Sequence, residues 1–214
     1  MYYQDIIIFI MEMIGTVAFA ASGAMVGVEQ KMDIFGVCVL GVVTSVGGGM
    51  IRDVVLGITP PNVFQNPVYA LVATLTSCLV FGLLYVNRHL LEGRFKAAYD
   101  KVLLIMDTIG LGIFTVVGVN TGIAQGYVQK LFLLVFLGTI TGVGGGILRD
   151  MMAGVPPYVF VKHVYASASI VGAIVCVLTY RRFGTVASML IAFLVVIGIR
   201  YLAARNRWNL PRVE

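Results

Sequence analysis

The chain has 214 residues, 59% of them hydrophobic and only 12% charged, with a net charge of +5 and a mean hydropathy of +0.97. A charged fraction about half that of an ordinary soluble domain excludes a water-soluble globular fold and predicts an all-α integral membrane protein. The basic residues lie in short connections and near the C-terminus without interleaved aromatics, so nucleic acid is not an expected partner.

Crossing a hydrocarbon core of about 30 Å takes roughly 20 helical residues. Seven stretches meet that demand: 4–28, 34–57, 67–87, 101–123, 130–153, 163–180 and 184–204. They are continuous apolar runs rather than short alternating ones, which excludes barrel strands. The start, Met1-Tyr2-Tyr3-Gln4-Asp5, has no basic run, and the apolar stretch behind it is too long for a signal peptide. It is expected to be a retained first membrane helix.

The connections carry matching punctuation. Glu29 to Asp33 forms a short polar turn, and Thr59-Pro60-Pro61-Asn62 stops the second segment. Val155-Pro156-Pro157-Tyr158 stops the fifth. The longest polar connection runs from Asn87 to about Asp100 and carries Arg88, His89, Glu92, Arg94 and Lys96. Cys38, Cys78 and Cys176 all lie in apolar runs with no CxxC spacing, so neither a metal site nor a disulfide framework is expected.

The second and fifth segments share one motif. Thr44-Ser45-Val46-Gly47-Gly48-Gly49-Met50-Ile51-Arg52-Asp53 recurs as Thr141-Gly142-Val143-Gly144-Gly145-Gly146-Ile147-Leu148-Arg149-Asp150. Phe19 matches Phe114, Gly23 matches Gly118, and Tyr69 matches Tyr165, always at an offset of 95 to 97 residues. The chain therefore reads as a single membrane domain, 1–214, with one three-helix repeat at 1–87, a second at 101–180 and an appended seventh helix at 184–204. Three crossings per repeat force the second repeat to enter the membrane from the opposite side. Inverted repeats of this kind recur in transporters, with sites near the midplane.

Basic residues in the connections set the expected orientation. The N-terminal side carries Lys130, Arg181 and Arg182, whereas the other carries Lys31, Arg88, Arg94, Lys96, Lys101, Lys162, Arg205, Arg207 and Arg212. The richer side should be cytoplasmic, leaving the N-terminus outside and the C-terminus inside.

Three successive glycines weaken a helix by roughly 1 kcal/mol each relative to alanine. One reading is that the two helices bend or unwind at Gly47, Gly48 and Gly49 and at Gly144, Gly145 and Gly146, with freed backbone groups facing a polar pathway. The other is close packing of helix backbones. Thr44, Ser45 and Thr141, which precede the glycines, are candidate pathway-lining residues.

Intramembrane charges are costly and mark functional positions. Glu12 and Arg52 have similar expected depths, as do Asp107 and Arg149 on the opposite side, which predicts two symmetry-related ion pairs. Adjacent helical residues do not face each other, so Asp53 and Asp150 are expected to find other partners or water. Such charges either line the two mouths of a pathway or fix helix positions by neutralisation. His163 reads as interfacial. No catalytic triad, zinc-binding or phosphate-loop pattern is present, so an enzyme, a metal site or a cofactor is not expected.

Two G-G-G-x-x-R-D motifs, each followed by a Gly and a Pro-Pro turn, resemble the prokaryotic branch of the trimeric intracellular cation channels, and the resemblance covers essentially the whole chain. Some relatives in that group are labelled glycine transporters. The resemblance implies a homotrimer in the cytoplasmic membrane, with one ion pathway in each protomer. It also implies kinks at the triple glycines and permeation of monovalent cations, chiefly potassium. The Lys-Glu-Val signature of the animal members is not found, so a phosphoinositide partner is not expected. The alternative is an alternating-access carrier for a small amino acid such as glycine, with helix-end amides holding a carboxylate.

Overall fold

The computed structural model describes residues 2–91, 93–161, 164–206 and 208, and every regular element among them is helical. Glu92, Lys162, His163, Arg207 and Arg212, which the sequence placed in connections or at interfaces, lie outside the described residues. The elements are α1 (Tyr2–Glu29), α2 (Ile34–Leu56), α3 (Asn62–Gln65), α4 (Val68–Val86), α5 (Lys96–Ala124), α6 (Leu131–Met152), α7 (Tyr158–Val161) and α8 (Ala166–Arg205). Six of them, α1, α2, α4, α5, α6 and α8, are long and apolar enough to cross a membrane.

Helix α8 has 40 residues, so at about 1.5 Å per residue it would span roughly twice the hydrocarbon thickness if it were straight. It is not regular throughout. Gly184 has φ 75° and ψ −177°, a conformation that side-chain-bearing residues avoid. Two helical stretches meet there, at the position where the sequence expected a sixth segment to give way to a seventh.

Helix ends follow from local chemistry. The Gly36 amide donates to the Asp33 carboxylate at 2.7 Å, which caps the start of α2. The ends of α2 and α6 use one device. Gly57 (φ 70°) and Gly154 (φ 69°) turn the chain left-handed. The next amides, of Ile58 and Val155, then return to the carbonyls of Asp53 and Asp150 at 2.9 and 3.0 Å.

Helix α5 begins five residues before the expected position 101, because its first turns are tied to the end of α1. Lys96 Nζ lies 2.6 Å from Glu29 Oε1 and 3.3 Å from Asp100 Oδ1, and the Tyr99 hydroxyl donates to the Met25 carbonyl at 2.5 Å. The start of α5 thus meets the finish of α1, so the two helices run antiparallel. The connection before it is filled by two short 3-10 turns, Arg88–Leu91 and Gly93–Phe95.

The most apolar stretch of α5 is 67% buried, against 17% for α4, so α5 is the axis of the bundle and α4 lies at its edge. One apolar cluster joins Val116 and Val119 of α5 to Leu134 of α6 and Met189 of α8. A second gathers Phe19, Leu111, Phe114, Tyr165 and Val196. Cys38 of α2 and Cys78 of α4, read separately in the sequence, have their sulfurs 3.4 Å apart.

Candidate functional site

The triple glycines do not unwind. Both α2 and α6 remain α-helical through them, so close packing, rather than freed backbone, explains the motif. A Cβ on Gly48 would run into the Thr141 carbonyl oxygen, and one on Gly145 would run into the Thr44 carbonyl oxygen. Gly47 packs against Leu148, and Gly144 lies against Gly48 and Ile51. The first two glycines of each motif therefore form the crossing of α2 over α6, and at Gly48 and Gly145 the facing backbone leaves room only for hydrogen.

The third glycine differs between the halves. A Cβ on Gly146 would sit 2.8 Å from the Tyr165 hydroxyl, whereas one on Gly49 would approach nothing nearer than Arg52 Nη2 at 3.8 Å.

The hydroxyls before the glycines are spent locally. Thr44 and Thr141 are buried and donate to the carbonyls of Leu40 and Leu137 at 2.6 and 2.5 Å. Each is packed against the facing glycine, Gly23 or Gly118, and neither is among the residues around the Glu12 cavity. Ser45 also donates back to its own helix, to the Gly41 carbonyl at 3.0 Å, yet it does line a cavity.

Each Arg-Asp pair closes on itself, which corrects the expectation that Asp53 and Asp150 must look elsewhere. Arg52 donates to Asp53 Oδ1 through Nε and Nη2 at 2.9 and 2.7 Å, and Arg149 Nε donates to Asp150 Oδ1 at 2.8 Å. A guanidinium on a long flexible stem can fold back to its neighbour, which a spacing rule for shorter side chains does not capture. The second carboxylate oxygen is used as well. Asp53 Oδ2 accepts from the Asn62 amide and Asp150 Oδ2 from the Tyr158 amide, both at 2.8 Å. Those amides open α3 and α7, so each Asp satisfies an orphan donor at a short helix and fixes the loop after the Pro-Pro turn.

Around this shared frame the two ends diverge. The second site is buried. Arg149 Nη1 donates to Asp107 Oδ1 at 2.7 Å and to the Ser22 hydroxyl, which realises the expected Asp107–Arg149 pair. The Tyr165 hydroxyl donates to the same oxygen at 3.3 Å. Arg149 and Asp107 are both 0% exposed.

The first site is open. The expected direct pair of Glu12 with Arg52 is not formed. The Glu12 carboxylate instead accepts from the Tyr69 hydroxyl, while Arg52 is engaged by Asp53. These side chains surround a cavity of about 200 Å³, lined also by Thr16, Ser45, Gly49 and Asn62. The corresponding positions of the second half explain its burial: Leu111 stands for Thr16, Gly142 for Ser45 and Tyr158 for Asn62. Tyr158 places its ring 5.1 Å from the Arg149 guanidinium carbon.

A further charge, Arg200 of α8, joins this site without having stood among the residues expected from the sequence. It is 2% exposed, and its Nη2 lies 3.8 Å from Asp107 Oδ2. The open site thus holds one cation, Arg52, against the two acids Glu12 and Asp53. The closed site holds Arg149 and Arg200 against Asp107 and Asp150. Because α1 and α5 are antiparallel and Glu12 and Asp107 sit at similar distances from their starts, the two sites lie toward opposite ends of the bundle.

A bundle of apolar helices with paired charged sites at its two ends is a multi-pass membrane protein. A family model described as "Glycine transporter" matches residues 9–85 and 104–181, and the chain belongs to that family. It is 37% identical over 208 residues to the UPF0126 inner membrane protein YadS of Escherichia coli, with 96% of this chain and 95% of that protein covered. It is 31% identical to the UPF0126 membrane protein YvgT of Bacillus subtilis over 94% of each chain. Among solved structures, a prokaryotic TRIC channel crystallised in 0.5 M KCl superposes with a TM-score of 0.86 at 31% identity, covering 98% of this chain and 100% of that one. A second, from work on conductance through TRIC cation channels, gives 0.81 at 34% identity over 96% of each chain.

Proposed function

We propose that this protein is a cation channel of the cytoplasmic membrane, permeable to potassium, with one pathway inside each protomer of a homotrimer. The observation that carries the reading is the pair of equivalent charged sites at opposite ends of one bundle, one facing a cavity and one buried. The same fold at more than 30% identity in solved TRIC cation channels supports it. The two family-matched stretches, 9–85 and 104–181, support two inverted three-helix repeats at 1–87 and 101–180, with 184–204 as the appended seventh helix. The N-terminus lies outside, so the Glu12 cavity is the outer mouth. Cations gather there beside Glu12 and Asp53, steered by Ser45 and the open face of Gly49. Asp107, Arg149 and Asp150 form the inner end, and Gly48 and Gly145 hold the helices together between them. In this reading the pathway is closed at its inner end.

A second reading is favoured by the chemistry of the cavity. Glu12 and Arg52 present a carboxylate and a guanidinium to one small space, which suits the ammonium and carboxylate of glycine. A site open on one side and closed on the other is also what an alternating-access carrier needs.

Purified protein in a planar bilayer, with potassium chloride at unequal concentrations, separates the two. Discrete openings that reverse near the potassium potential establish the channel. A silent bilayer together with saturable glycine uptake into vesicles of the same preparation establishes the carrier.

A further inference from the structure

We infer that Arg200 is a tethered cation that occupies the inner site and keeps it closed, taking the place beside Asp107 that a permeating cation must enter. The inference rests on the channel reading.

The two halves supply equivalent acids, Glu12 and Asp107, and equivalent Arg-Asp pairs. Among the described residues, only the second half receives an additional cation, and it comes from the last stretch of α8 rather than from the repeat itself. Arg200 is not locked to Asp107 in the way Arg149 is. Arg149 Nη1 makes a hydrogen bond at 2.7 Å, whereas Arg200 Nη2 stands 3.8 Å from the other carboxylate oxygen, an electrostatic contact beyond hydrogen-bond length. Its guanidinium carbon lies 4.8 Å from the centre of the Tyr165 ring, a face that holds a cation without a directional bond.

Arg200 also has somewhere to go. It lines a second cavity, of about 380 Å³, together with Glu29, Lys96, Asp100 and Tyr158. That cavity is at the end of the bundle where α1 finishes and α5 begins, so it forms the vestibule of the closed site. The acids Glu29 and Asp100 at its rim are 38% and 57% exposed along their side chains and offer hydrated alternatives to Asp107. The stretch that carries Arg200 joins the rest of α8 through Gly184, the one irregular residue of that helix. Arg200 is therefore a stopper between vestibule and buried site, set beside Asp107 and the Tyr165 ring and carried on the stretch of α8 that follows the break at Gly184. A cation arriving from the vestibule meets a like charge already seated beside Asp107.

The test compares unitary currents of the wild-type protein with those of Arg200→Gln and Arg200→Lys in planar bilayers. The expected result is a rise in open probability of at least about fivefold for Arg200→Gln, with Arg200→Lys close to wild type. Arg200→Cys, in a background with Cys38, Cys78 and Cys176 changed to Ser, should be raised likewise. It should fall back when an aminoethyl methanethiosulfonate reagent restores a positive charge at that position. Wild-type-like openings in both neutral variants would overturn the inference while leaving the channel reading intact. So would loss of folding in both neutral variants with rescue by lysine, which would make Arg200 a structural counter-charge. Absence of cation current from the wild type, with glycine uptake, would instead overturn the channel reading on which this rests.

Discussion

Gly48 and Gly145 lie in reciprocal contact, each placed so that a Cβ would strike the carbonyl oxygen of the other helix's threonine, Thr141 or Thr44. The clash is with backbone, which cannot rotate away as a side chain can. Overpacking of a tight interior costs about 1–3 kcal/mol and more where nothing yields. Gly48→Ala and Gly145→Ala should each lower the midpoint of thermal unfolding in detergent and reduce the yield of folded protein. Gly49→Ala should fold normally, because its Cβ meets open space and alanine favours the helix by up to about 1 kcal/mol. Equal damage at all three positions would show that the crossing is not where the constraint resides.

The two acids should respond unequally to neutralisation. Asp107→Asn removes the shared partner of two buried guanidiniums, and breaking a buried pair costs about 3–5 kcal/mol. Glu12→Gln leaves a half-buried amide beside a cavity and the Tyr69 hydroxyl, and should cost less than about 1 kcal/mol. Thermal or denaturant unfolding of both variants checks the difference. On function the order reverses: Glu12→Gln should fold and yet lower single-channel current.

Asp53 and Asp150 cap the short helices α3 and α7 through the amides of Asn62 and Tyr158. Their replacement by Asn keeps an acceptor for the amide and loses the arginine's charge partner. Replacement by Ala loses both. Unfolding midpoints should fall in the order wild type, Asn, Ala at each position. The whole series should be steeper at Asp150, where Arg149 is 0% exposed, than at Asp53, where Arg52 is 6% exposed.

Gly184→Ala forces a Cβ into φ 75°, ψ −177°, a region almost reserved for glycine, at a cost of about 1–3 kcal/mol. Gly198 lies in the same element with ordinary helical geometry and open space around it, so Gly198→Ala should be neutral or stabilising. Parallel melts of the two variants isolate the joint from the general cost of altering α8.

Much of this architecture is legible in the chain. The apolar segments gave the long helices to within about five residues, and the doubled motif located both charged sites. Three features were hidden, each for a physical reason. Glycine runs read as weakness because propensity describes an isolated helix, whereas Gly48 and Gly145 are used for the contact they permit across α2 and α6. The closing of Arg52 on Asp53 was missed because spacing rules treat a side chain by its Cβ, and arginine reaches well beyond it. Arg200 was missed because it lies inside an apolar segment, outside both copies of the motif. Its lack of a counterpart was itself the usable signal. The unequal openness of the two sites was also readable after the fact, in Thr16 and Ser45 opposite Leu111 and Gly142, but only once the walls of each site were known.

The last stretch of α8 sharpens an asymmetry that the walls of the two sites already carry. The repeats differ in Thr16 against Leu111 and Ser45 against Gly142, and Arg200 adds a difference of charge to that difference of lining. A guanidinium delivered to one end only makes the two approaches energetically unlike, so current driven inward and outward by equal voltages will differ. A population inserted in one orientation will therefore rectify, and a population of mixed orientation will conceal it.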